Sequence, residues 1–161
     1  MKEELYKLLD EFINTGNEEE LQMVKQLLEG VKRKKENLNG SYIGGVLGME
    51  RTLSEIHCDV SIPITPFTYN SFEIVHGGIT ATLVDSAMGT LANIVLPEGY
   101  GAVTTNLTIH YLAPGTGGTL TAKASVVHKG SKTLVMDGQV VRDDGKVIAH
   151  STGSFFIFKK S

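Results

Sequence analysis

Cysteine is nearly absent. Cys58 stands alone among 161 residues, so no disulfide can form within the chain and no second thiol is present to complete a zinc motif. A reducing compartment is the natural setting, and a cytoplasmic protein is expected. An excess of charge of one sign is also missing: eighteen acidic residues against fifteen basic leave a net charge of −3, which supplies no field for gathering nucleic acid. The first residues, Met1-Lys2-Glu3-Glu4, lack the apolar stretch of a secretory leader. Nor is any run apolar enough for a membrane span. Ile79 to Leu96 has about the right length, but Asp85, Asn93 and several Thr, Ser, Gly and Ala lower its hydrophobicity. No internal repeat or low-complexity tract appears. What is present is a 41% hydrophobic composition, sufficient for one sizeable core, so one compact domain with an appendage is expected.

The appendage is read as helix through the first forty residues. Leu5, Leu8, Leu9 and Phe12 share one helical face until Asn14-Thr15-Gly16-Asn17 interrupts it. A second helix starts after Asn17, with Glu18, Glu19 and Glu20 at its positive end and Lys32-Arg33-Lys34-Lys35 near its negative end. From Gly44 the texture changes to β-branched alternation with Gly and Pro punctuation, which predicts strands near 45–54, 56–64, 102–112, 118–129, 132–142 and 146–158. Asp144-Gly145 between alternating apolar residues marks a hairpin. One helix, from about Gly77 to Val95, separates the early and late strands. Its apolar residues cover nearly the whole circumference, so burial on most sides is expected. The outcome is an α+β architecture, an antiparallel sheet curled around a central helix, with residues 1–40 as a helical extension and 41–161 as the main domain.

Asp85 is the only formal charge between Gly77 and Leu96. An isolated carboxylate is costly to bury, so this one requires a partner, water or a task, unless it simply faces solvent. Before the helix stands His76-Gly77-Gly78, where unpaired N–H groups and absent Cβ atoms let a carbonyl approach closely enough to stabilise a developing oxyanion. A flexible turn would also explain two glycines. Gly77 and Asp85 are eight residues apart, about 12 Å along a helix rising ~1.5 Å per residue. One chain's pair cannot reach the same carbon. If both act together, Asp85 comes from a second subunit with an antiparallel helix, which predicts a dimer with two composite sites.

Asn70, His76-Gly77-Gly78 and Asp85 match the pattern N-x5-H-G-G-x6-D, and the chain resembles hotdog-fold acyl-CoA thioesterases, in particular their phenylacetate-pathway branch. Tyr111-Leu112-Ala113-Pro114, Gly118-Thr119-Leu120-Thr121-Ala122, Gly130-Ser131-Lys132 and Asp144-Gly145-Lys146-Val147-Ile148-Ala149 extend the resemblance over about residues 43–158. It implies a hotdog fold and hydrolysis of an acyl-CoA thioester without metal or cofactor. Asp85 would be general base or nucleophile. Gly77 would donate its N–H to the thioester oxygen, with His76 holding the turn and Gly78 beside the substrate. Asn70 would position water or substrate from the same chain as Gly77, and Thr104 would assist Asp85 from the other chain. Lys129, Ser131 and Lys132 are placed to contact the coenzyme's phosphates, although the same residues also suit a solvated hairpin tip. A homotetramer is the family's usual assembly. One departure is Glu73, where many relatives have Gly three positions before the histidine.

Two other readings keep the fold and change the task. A non-catalytic module sensing acyl-CoA would lack Asp85, and residues 1–30 carry Lys2, Lys7 and Lys25 against eight acidic side chains, a poor face for DNA. A hotdog dehydratase would need His and acid motifs that are not evident.

Overall fold

The computed structural model describes residues 1–36 and 40–160. The expectation of helix through residue 40 therefore lies outside the described residues for 37–39. The chain divides into two compact units, Met1–Gly48 and Met49–Ser161.

In the first unit α1 (Lys2–Thr15) and α2 (Glu18–Lys35) are separated where the sequence breaks its apolar rhythm. Asn17 closes a reciprocal cap at the start of α2: its side chain accepts from Glu20 N, while the Glu20 carboxylate accepts from Asn17 N, both at 2.9 Å. The stretch from residue 45, expected to begin a strand, opens instead in a short helix, α3 (Tyr42–Val46), capped by Ser41 Oγ on Gly44 N at 3.1 Å. Backbone proximity explains the difference. A Cβ at Gly30 would fall 2.4 Å from Val46 Cα, and one at Gly45 would fall 2.4 Å from Gly30 O, so α2 and α3 cross on bare glycine. Gln26 Nε2 adds a bond to Val46 O at 3.0 Å.

The second unit holds six strands and one long helix: β1 (Glu50–Leu53), β2 (His57–Pro63), a single 3-10 turn Pro66–Thr68, α4 (Gly77–Ile94), β3 (Tyr100–Tyr111), β4 (Thr119–Lys129), β5 (Thr133–Arg142) and β6 (Val147–Lys159). They form one antiparallel sheet in the order β1-β2-β4-β5-β6-β3. The Asp-Gly hairpin joins β5 to β6 through Asp143, Asp144, Gly145 and Lys146. Gly145 sits at φ +81, and the register shifts beside it between Val140 and Val141. A second shift, between Thr104 and Asn106, places a bulge in β3.

Period-2 alternation on the strands and the helical period on α4 meet in one core. Val60 and Ile62, Leu120 and Ala122, Leu134 and Met136, and Phe155 and Ile157 point from the sheet toward Leu83, Val84, Ala87, Met88 and Leu91, all buried. Each large side chain so covered contributes ~1.5–3 kcal/mol. Close approach is set by glycine: a Cβ at Gly138 would lie 2.5 Å from Val84 Cγ2, and one at Gly153 would lie 3.1 Å from Met88 Cε.

The helix is not buried on most sides, as its composition suggested. Thr80, Leu83, Val84, Ala87, Met88, Leu91 and Ala92 form one buried face, whereas Ala81, Thr82, Asp85, Ser86 and Gly89 are only half-buried. In a single chain the small residues of this second face have nothing packed fully over them. Among the described residues no helix is long and apolar enough to cross a membrane.

Candidate active site at the start of the central helix

The turn that launches α4 is tied down group by group. Asn70 Oδ1 accepts from Phe72 N at 2.8 Å, and Asn70 N donates to Ile74 O at 2.8 Å, closing a tight loop. Within it Glu73 takes φ +57, the only positive φ of a non-glycine residue among those described. Glu73 thus adopts a backbone conformation that Gly adopts without strain. Val75 N then reaches Gly115 O at 2.9 Å, and His76 N reaches Thr68 O at 2.8 Å.

His76 is the N-cap of α4. Its Nδ1 accepts from Gly78 N at 2.9 Å, and its carbonyl accepts from Ile79 N at 2.9 Å and Thr80 N at 3.2 Å. A Cβ at Gly78 would lie 3.0 Å from His76 Nδ1, so any larger residue there would press on the capping imidazole. Every first-turn N–H is therefore occupied except one. Gly77 N–H has no partner among the described residues, at the pole where the helix dipole favours negative charge.

Gly77 lines a cavity of about 430 Å3 together with Asn70, Thr80 and Tyr111. The other walls, among them Ile74, Val75, Leu112, Pro114 and Ile148, are apolar. Thr80 is 2% exposed, and its hydroxyl also lacks a partner among the described residues. An apolar chamber with a few unpaired donors suits a small acyl group that needs orienting.

Asp85 is not in that cavity. It lies two turns further along α4, half-buried, where its Oδ1 accepts from Thr104 Oγ1 on β3 at 2.9 Å. The sequence-derived residues on or before α4, together with Thr104 of β3, thus fall into two groups within one chain: Asn70, His76, Gly77 and Gly78 at the helix start, and Asp85 with Thr104 about 12 Å along the axis.

A third group, Lys129, Ser131 and Lys132, lies at the β4–β5 turn, near the other end of α4. Lys129 Nζ donates to the carbonyl of Val95, the C-cap of α4, where a cation suits the helix dipole. Ser131 and Lys132 are exposed, without side-chain partners among the described residues. Two site features escaped the sequence reading. Tyr111 entered only as part of a matching segment, and Thr80 gave no signal beyond one more small residue on the helix. Among the described residues no cluster of His, Cys, Asp and Glu has the geometry to hold a metal ion.

Comparison with known proteins places this arrangement. The thioesterase superfamily matches residues 72–149. The acyl-coenzyme A thioesterase PaaI of Escherichia coli is 36% identical over 91 residues, which is 56% of this chain and 63% of PaaI, so the match spans less than two thirds of that relative. A putative esterase of Pseudomonas aeruginosa is 30% identical over 117 residues, 69% of this chain and 80% of that protein. A Bacillus halodurans protein solved with CoA superposes with a TM-score of 0.88 at 40% identity, covering 95% of this chain and 99% of that one. The sheet order, the central helix and these matches agree, and the chain belongs to the thioesterase superfamily, with the hotdog fold.

Proposed function

We propose that this protein hydrolyses acyl-CoA thioesters to the free acid and coenzyme A at two composite sites of a homodimer. The observation that carries the reading is the unpaired Gly77 N–H at the head of α4, beside an apolar cavity, with the helix's single carboxylate out of its reach in the same chain. A two-fold axis crossing the half-buried face of α4 would bring Asp85 of the partner subunit to Gly77. Small residues at Ala81, Ser86 and Gly89 permit a close helix pair, and β3, at the sheet edge with Val103 51% exposed, offers a free strand for the same contact.

In that site the thioester oxygen accepts from Gly77 N–H, and the acyl group occupies the chamber under Ile74, Leu112 and Pro114. Asp85 takes a proton from water as the water oxygen bonds to the carbonyl carbon. The C–S bond then breaks, and the sulfur leaves as coenzyme A thiolate, which is reprotonated. Direct attack by the carboxylate, through an anhydride that water later opens, uses the same geometry. Asn70 orients the attacking water or the substrate from the Gly77 side. The CoA held by the Bacillus halodurans relative supports the choice of thioester, and Ser131 and Lys132, with Lys129 beside them, supply a hydroxyl and cations for its phosphates. Cytoplasmic acyl-CoA pools fit a chain with one buried thiol.

Thiol release from a panel of aryl- and fatty-acyl-CoAs tests this. Turnover is expected for at least one class, falling at least about 100-fold in Asp85→Asn, the scale of a lost acid–base group. Full activity in a folded Asp85→Asn variant, or tight binding with no thiol released, overturns it.

A further inference from the structure

Glycine is the least restrained residue in a chain, and an oxyanion donor must be the best aimed. At Gly77 this conflict is resolved from outside. Two peptide planes meet at its Cα. In the one behind it, the His76 carbonyl accepts from Ile79 N and Thr80 N. In the one ahead, Gly78 N–H is held by His76 Nδ1, and the Gly77 carbonyl accepts from Tyr111 Oη at 2.8 Å. Every polar group of the two planes is thereby engaged except the Gly77 N–H. Of the restraints, only the tyrosine comes from another element of the fold, the end of β3.

We propose that Tyr111 is the positioning residue for the Gly77 amide, and that its ring separately walls the acyl chamber. The proposal rests on the reading of Gly77 as oxyanion donor. Contact distances fit both roles: a Cβ at Gly77 would lie 3.2 Å from Tyr111 Cζ and Oη, so the ring already covers one side of that Cα. The same tyrosine lines the cavity next to Asn70 and Leu112. The hydroxyl fixes the direction of the amide, which matters as charge develops on the carbonyl oxygen. The ring shapes the space the acyl group fills before reaction.

Two substitutions separate these effects. Removing an oxyanion donor outright costs ~10²–10³ in kcat. Loosening one forfeits part of that, so Tyr111→Phe is expected to lower kcat about tenfold with KM within about twofold. Tyr111→Leu, which also loses the ring, is expected to raise KM in addition. The companion measurement is 15N relaxation of the Gly77 amide: as rigid as mid-helix Met88 in the wild type, with an order parameter of about 0.85, and looser in Tyr111→Phe. Wild-type kcat in Tyr111→Phe, a change in KM alone, or a Gly77 amide as mobile as a loop in the wild type overturns the proposal. The wild-type arm of the relaxation measurement needs neither turnover nor a folded variant. If Asp85→Asn is inactive while Tyr111→Phe is unaffected, only the tyrosine's role falls. If Asp85→Asn is fully active, the catalytic reading itself fails, whatever the tyrosine does.

Discussion

Thr104 Oγ1 donates to Asp85 Oδ1 across 2.9 Å, joining the edge strand to the one charged side chain of the central helix. The bond occupies one carboxylate oxygen, Oδ1, and leaves Oδ2 outside it. A hydrogen bond to a charged group is worth ~1.5–3 kcal/mol, of which solvent returns part at a half-exposed site. Thr104→Val is therefore expected to reduce kcat about tenfold, and Thr104→Ser to retain most of it. Steady-state kinetics of the two variants checks the hydroxyl against the methyl.

A composite site makes a prediction that a self-contained one cannot. Gly77→Val blocks the amide, and Asp85→Asn removes the carboxylate, so each homodimer is inactive. In a mixed dimer one site collects both defects and the other collects none. Random reassociation of equal amounts should restore about a quarter of wild-type activity. No recovery after verified subunit exchange would place both groups' work within one chain.

Glu73 holds a left-handed backbone at φ +57. Such a conformation costs an L-residue ~1–2 kcal/mol, against ~0.5–1 kcal/mol for glycine's extra freedom when unfolded. Glu73→Gly should stabilise the protein by about 0.5–1 kcal/mol in urea titrations, with the slope unchanged.

Packing under α4 should be intolerant of a single methyl. Gly138→Ala sets a carbon 2.5 Å from Val84 Cγ2 and 2.8 Å from Ser151 Oγ. Overpacking of this kind costs ~1–3 kcal/mol. Gly40→Ala, with nothing among the described residues within 4 Å of the new atom, is the control and should shift the denaturation midpoint negligibly.

Asp144 is held at a pKa of about 2, below its ordinary 3.8, first by its hydrogen bond from Arg142 and then by that from Lys146 N. The unfolded chain takes up this proton more readily than the folded one. The stabilisation is therefore complete above about pH 4 and fades as pH falls toward 2. The melting temperature of Asp144→Asn should lie below wild type at pH 6 and converge with it near pH 2.

The sequence disclosed the large elements because their rhythms are strong. Leu83, Val84, Met88 and Leu91 recur at helical spacing, and Asp144-Gly145 names its own turn. Asp85 was legible as a lone charge in an apolar run. The helix at Tyr42–Val46 was not, because it depends on the crossing of Gly30 with Gly45, a contact between residues fifteen positions apart. Burial of α4 was overestimated for a related reason: periodicity tells which residues avoid water but not which chain covers them. Tyr111 was hidden by distance, since it meets Gly77 from thirty-four positions away.

The irregularity in β3 has a bearing on two points of the helix, its first residue and its middle. Thr104 and Tyr111 stand seven positions apart, an odd interval, and on an unbroken strand they would project to opposite sides. Because Thr105 is slipped in as an extra residue, the alternation changes phase, and both side chains reach α4. Were Thr105 drawn into the ladder instead, the strict alternation would return and either the hydroxyl or the phenol would turn outward, uncoupling the carboxylate or the glycine without altering either.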